Sequence, residues 1–74
     1  MKNGYRGMGT IRLARLLKGL TMRQVGQQLT PPRSIAYIHR VENYGCAKID
    51  RVIAEDFARI LETDISELFT EVNG

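Results

Sequence analysis

Apolar residues in this chain recur at steps of three and four in short blocks of about ten residues, each closed by a glycine, a proline or a polar break. Such a pattern commits a chain to short amphipathic helices that bury their stripes on one another. Strand-period alternation is not evident, and no segment repeats. Ile11, Leu13, Leu16, Leu17 and Leu20 form the first block, with Arg12, Arg15 and Lys18 between them. Thr10 is expected to cap this helix and Gly19 to end it. Thr21-Met22-Arg23-Gln24 has the form of a capping box, opening a second helix whose stripe is Met22, Val25 and Leu29. Thr30-Pro31-Pro32-Arg33 breaks that helix, since neither proline can continue a helix interior. A third helix is expected over residues 34–43, with Ser34 as its N-cap and Ile38 and Val41 turned inward. Tyr44-Gly45-Cys46-Ala47 reads as a turn. Asp50 then caps a fourth helix that buries Ile53, Phe57, Ile60 and Leu61, and Asp64-Ile65-Ser66-Glu67 starts a short fifth one holding Leu68 and Phe69. The leucine and isoleucine stripes are read as core. The predicted fold class is all-α, a compact bundle of four to five helices.

A chain of 74 residues holds one domain and buries only about 60% of its unfolded surface, so a roomy catalytic pocket is not expected. Cys46 has no second cysteine to pair with, which excludes a disulfide scaffold, and His39 is the only histidine. A zinc site wants about four ligands, so no metal, no cofactor and no enzymatic activity are expected. No run approaches the roughly 18 apolar residues of a membrane span, and the Met1–Gly7 stretch has no apolar run behind it, so neither membrane insertion nor a signal peptide is expected. A cytoplasmic, nucleoid-associated location follows as the expectation. Residues 1–9 carry Gly4, Gly7 and Gly9 with Lys2 and Arg6 and are predicted to be a flexible basic arm, leaving 10–74 as the folded domain. The three glycines lack both the spacing and the preceding strand of a dinucleotide loop.

The net charge of +3 hides a polarity along the chain. Residues 1–51 hold ten basic side chains against Glu42 and Asp50, a balance of +8, whereas residues 52–74 hold Arg59 against six acids, a balance of −5. A polyanionic partner for the first two-thirds is the physical implication, with nucleic acid the foremost class.

The pairing of the second and third helices across a short break is the form of a helix-turn-helix, whose second helix can lie in the DNA major groove. Ile11-Arg12-Leu13-Ala14-Arg15 with Leu20-Thr21-Met22-Arg23-Gln24-Val25-Gly26-Gln27-Gln28-Leu29, then Ile38-His39-Arg40-Val41-Glu42-Asn43, Phe57-Ala58-Arg59-Ile60-Leu61 and Asp64-Ile65-Ser66-Glu67-Leu68-Phe69 carry a likeness. Over residues 10 to 69 the chain resembles the phage-repressor and Cro type (XRE-like, lambda-repressor-like) of helix-turn-helix DNA-binding domain. The resemblance implies that fold, a recognition helix at about 34–43, and a structural ion pair between Arg15 and Glu42. It also implies a transcriptional regulator, most simply a repressor that occupies a palindromic operator on double-stranded DNA as a homodimer. Three departures stand out. Gly26 occupies a position where the family has alanine, Met22 one where it has glutamine, and the span from Leu29 to Glu42 is about two residues longer and holds the proline pair.

With Ile38, Val41 and Glu42 inward, helix geometry puts Ala36, Tyr37, His39, Arg40 and Asn43 on or near the outer face. Arg33, Ser34, Ala36, Tyr37, His39 and Arg40 are therefore the candidate base-reading residues; Arg33 or Arg40 can pair with guanine, and Ala36 and Tyr37 can pack on thymine methyls. Thr21 with its amide, Arg23, Asn43, Tyr44 and Lys48 are the candidate phosphate contacts. The acidic, apolar C-terminal third, including Phe69 and Val72 unless they are core, is the expected dimer surface. A regulatory protein partner is a further possibility the composition leaves open. The alternative function is a protein-interaction module or antitoxin-type partner-binding protein on the same fold, which would make no use of Arg33 and Arg40 on DNA.

Overall fold

In the computed structural model, residues 3–43 and 48–73 are described. Their order is β1 (Asn3–Gly7), α1 (Thr10–Leu17), α2 (Met22–Gln28), α3 (Ile35–Asn43), α4 (Arg51–Leu61), α5 (Ile65–Leu68) and β2 (Phe69–Asn73). The chain is mostly helical, but the all-α expectation needs correcting: β1 and β2 pair antiparallel, with Tyr5 opposite Glu71 and Gly7 opposite Phe69. Tyr5 also exchanges backbone hydrogen bonds with Ile49, at 2.8 and 3.0 Å. Residues 3–7 are thus a paired strand and not a flexible arm.

The reason lies in what β1 touches. Tyr5 and Phe69 are buried on one face of the ribbon, and Phe69 meets Phe57 of α4 edge-on at 5.6 Å between ring centroids. On that same face Gly7 lies against α3: a Cβ there would sit 2.3 Å from the Val41 carbonyl oxygen and 2.7 Å from Ile11 Cδ1. Glycine at this position serves close packing.

The core is formed by Ile11, Val25, Ile38, Val41, Ala54, Phe57, Leu61 and Leu68, with Ile60 and Leu29 at its margin. Ile53 only packs against it, and Ala54 takes the inward place on α4. The first-helix stripe is the second correction. Of its five apolar residues only Ile11 is buried, Leu20 is partly covered, and Leu13, Leu16 and Leu17 are exposed. The inward face of α1 is set by Arg15, four residues after Ile11, whose guanidinium sits under α3. That choice rotates the three leucines outward.

Local signals explain most of the helix boundaries. Thr21 and Gln24 form both bonds of a capping box at the start of α2. Asp50 accepts the Ile53 N–H at 3.0 Å, capping α4. Thr10, by contrast, is not the N-cap of α1; Gly9 is, and the Thr10 hydroxyl donates to the Glu67 carbonyl, tying α1 to α5. Phe69 opens β2 and does not belong to α5.

Candidate nucleic-acid interface

The α2–α3 unit is positioned from behind by one buried ion pair. Arg15 donates from Nε to Glu42 Oε2 at 2.5 Å, from Nη2 to Glu42 Oε1 at 3.1 Å, and from Nη1 to the Leu20 carbonyl at 2.9 Å. Both residues are buried. Glu42 is on the inner side of α3, beside Ile38 and Val41, so the pair fixes the rotation of α3 about its own axis as well as its distance from α1. A planar fork matched to a carboxylate is what makes this possible.

The connection between α2 and α3, residues 29–34, is built around Gly26. The Arg33 N–H donates to the Gly26 carbonyl at 2.9 Å, and a Cβ on Gly26 would sit 2.3 Å from the Arg33 carbonyl oxygen. The turn therefore lies closer to α2 than an alanine would permit. A second tether comes from α4: the Thr30 N–H donates to Asp56 Oδ2 at 2.8 Å. The Thr30–Pro31 peptide bond is cis. Ser34 then starts α3, its Oγ accepting the Tyr37 N–H at 3.2 Å. The extra length of the turn is thus pinned at both ends.

With Ile38, Val41 and Glu42 buried, the exposed face of α3 carries Ala36, His39, Arg40 and Asn43. Tyr37, expected on the outer face, is half-buried against the core, and Arg33 sits over its ring 4.8 Å from the centroid, a cation–π contact that joins the two as one unit. Burial pushes the Tyr37 phenol above its ordinary pKa of 10.0, against the opposing pull of Arg33. Ile35, which sequence reasoning passed over, is exposed at the first position of α3. The signal was an apolar residue beside Ala36, masked because its spacing to Ile38 and Glu42 matches the inward stripe.

The phosphate candidates separate. Arg23 is exposed in the first turn of α2. The Thr21 amide, expected to face a phosphate, donates instead to Gln24 Oε1 at 2.8 Å, because the capping box uses it. Asn43 turns its amide back to donate to the His39 carbonyl at 3.0 Å. Lys48 is exposed, with its aliphatic stem laid over Gly4 of β1. Tyr44 lies outside the described residues.

Charge pairing distinguishes this face from α4. Among the described residues, no ion pair joins Arg23, Arg33 or Arg40 to a carboxylate, whereas Lys18, Arg51 and Arg59 are paired with Glu62, Glu55 and Asp56. Also among the described residues, no three His, Cys, Asp or Glu side chains are grouped to hold a metal ion, and no helix is long and apolar enough to cross a membrane. The chain matches no family model, and no curated protein and no solved structure is significantly similar to it.

Proposed function

We propose that this chain is a sequence-specific DNA-binding regulator of the phage-repressor and Cro type, which represses by occupying an operator with the outer face of α3 in the major groove. The observation that carries the proposal is the exposed α3 face together with three arginines, Arg23, Arg33 and Arg40, that have no carboxylate partner among the described residues. Leaving such charges unneutralised costs self-repulsion, and a polyanion relieves it. Arg40 projects from the middle of that face and suits the O6 and N7 acceptors of guanine. The Arg33–Tyr37 unit and Ile35 stand at the N-terminal end of α3, where a recognition helix approaches base edges, and offer a cation and apolar surface for a thymine methyl. Arg23 serves the phosphates at the start of α2, and Lys48 those beyond α3. Two copies related by a two-fold axis would read a palindrome.

The test is a titration of the chain with random-sequence duplex DNA at two salt concentrations, alongside selection of preferred sites. Enrichment of a short inverted repeat, with affinity falling steeply as salt rises, is the expected result. Arg40→Ala should lower affinity for the selected site by about 1–3 kcal/mol while leaving random DNA nearly unaffected. Arg23→Ala should weaken all sequences alike and flatten the salt dependence by about one charge. Weak binding with no sequence enriched would sink the proposal and turn attention to a protein partner for this fold.

A further inference from the structure

Three leucines on one eight-residue helix face solvent: Leu13 is 57% exposed, Leu16 55% and Leu17 79%. On an ordinary surface helix these positions are polar, and so large an apolar stripe marks a surface that is covered in use. The stripe does not end at α1. Leu13 and Leu17 form one wall of a groove of about 360 Å³ whose floor is the buried Leu61 and Leu68 and whose other rim carries Thr63, Glu67 and Glu62, the last paired with Lys18. This groove lies on the side of α1 away from Arg15, the residue that holds α3, and no residue of α3 lines it.

The helical periodicity of α1 orders what flanks the stripe. Going around the helix, the groove side (Ala14, Thr10) comes first, then Leu17, Leu13 and Leu16, and then Arg12. Arg12 is exposed and, among the described residues, has no carboxylate partner. Glu67 stands at the same end of α1 on the groove side, because the Thr10 hydroxyl donates to its backbone carbonyl. Its carboxylate is likewise in no ion pair among the described residues. The face is therefore self-complementary about a two-fold axis running along α1. Rotation about that axis would seat the leucines of one copy over the groove of the other and bring each Arg12 to the Glu67 of its mate.

We propose that the α1 leucine stripe and its groove are the interface between two copies of this chain, in place of the C-terminal third expected from the sequence, where Phe69 is buried and β2 is paired with β1. The occupant is a second copy because Arg12 on one flank of the stripe and Glu67 on the other, each without an ion-pair partner among the described residues, complement one another when two copies meet about that axis. The extent of the face sets the strength. The face is small beside the roughly 20–30 residues a side of a standard interface, which places the dimer among the weak, concentration-dependent ones. Self-association does not depend on nucleic acid, and its failure and the failure of DNA binding are separately visible.

The experiment is sedimentation velocity on the full chain without DNA, at loadings up to about 500 μM, each variant checked for helical content by circular dichroism. Wild type should move from monomer to dimer with rising concentration. Leu17→Glu, which puts a charge into the groove contact, should weaken association at least about tenfold. Arg12→Glu and Glu67→Lys should each self-associate more weakly than wild type, since like charges then meet at both ends of the interface. An equimolar mixture of those two variants should associate as wild type does, because each contact again pairs opposite charges. A folded wild type that stays monomeric throughout, including the case where the groove serves another protein, would overturn the proposal. So would a dimer untouched by Leu17→Glu, or a mixture no tighter than its two components.

Discussion

The α2–α3 unit and the α4–α5 unit are built from similar short helices, yet they treat charge in opposite ways. On α4, Arg51 pairs with Glu55 at 2.8 Å and Arg59 pairs with Asp56, each within one helical turn, and Glu62 at its end takes Lys18 at 2.9 Å. On α2–α3, Arg23, Arg33 and Arg40 have no such partner among the described residues, and the one acidic side chain, Glu42, is buried on the side facing α1. A surface that neutralises itself has little to offer a polyanion. The difference teaches that net charge was the wrong scale on which to look: the +3 of the whole chain matters less than which cations are already occupied.

Ion pairs themselves give the sharpest contrast. The surface pairs of α4 are screened, so Arg59→Ala should change stability by less than about 1 kcal/mol and Arg51→Ala should leave the melt nearly where it is. Arg15→Ala should cost about 3–5 kcal/mol, because it strands the Glu42 carboxylate in the interior. For 74 residues the whole stability is of order 4–11 kcal/mol, so this variant approaches unfolding at ambient temperature. Denaturant melts of the three variants measure the gap, and Arg15→Met with Glu42→Leu should recover most of the loss. Equal costs for Arg15→Ala and Arg59→Ala would break the contrast.

The two turns should also respond in opposite senses. Gly26→Ala would ordinarily stabilise a helix by about 1 kcal/mol, but the added Cβ meets the Arg33 carbonyl oxygen at 2.3 Å. Displacing that backbone should outweigh the gain and leave a net loss of about 1–3 kcal/mol. At the end of α4, Glu62 holds the left-handed conformation, φ 53°, without being glycine. Glu62→Gly removes that strain at the expense of a half-exposed pair with Lys18, and the melting midpoint should hold or rise. A stabilised Gly26→Ala would show that the turn is looser than the packing implies. On DNA the contrast takes another form: Arg40→Ala should lose site preference, while Arg59→Ala should bind as wild type does.

Much of this organisation was legible in the sequence. Thr21-x-x-Gln24, Ser34 and Asp50 announce helix starts through their own side-chain chemistry, and each caps as expected. The partnership of Arg15 and Glu42 followed from a family likeness and is made in full. Other features were hidden. The β1–β2 ladder joins residues as far apart as Asn3 and Asn73, and glycines that look like slack are in fact packing positions, as Gly7 against Val41 illustrates. The orientation of α1 was hidden as well, since a hydrophobic stripe of leucines outweighs a single arginine in any periodicity count. Only the buried carboxylate waiting on α3 reverses that preference. At the candidate interface, the same limitation concealed Ile35 and the engagement of the Thr21 amide, both matters of which neighbour is within reach.

Tyr37 carries the smallest effect and the finest distinction between the two units, because it sits where the cations of one meet the N-cap of the other. Burial raises its pKa above 10.0; Arg33 and Arg40 pull it down, while Asp50 at the start of α4 pushes it up. A phenol whose folded pKa is raised favours the protonated form in the folded state. Its contribution is therefore intact below the ordinary pKa and is lost as pH rises through the folded value. Ultraviolet titration of wild type against Tyr37→Phe should isolate a tyrosine that ionises above 10.0, and the alkaline fall in denaturation midpoint should be shallower in the variant. Arg33→Ala should move the ionisation further upward, since it removes the cation stacked on the ring. A phenol that titrates below its ordinary value would mean that the arginines dominate burial at this end of α3, and that the electrostatic field there is stronger than the packing around it.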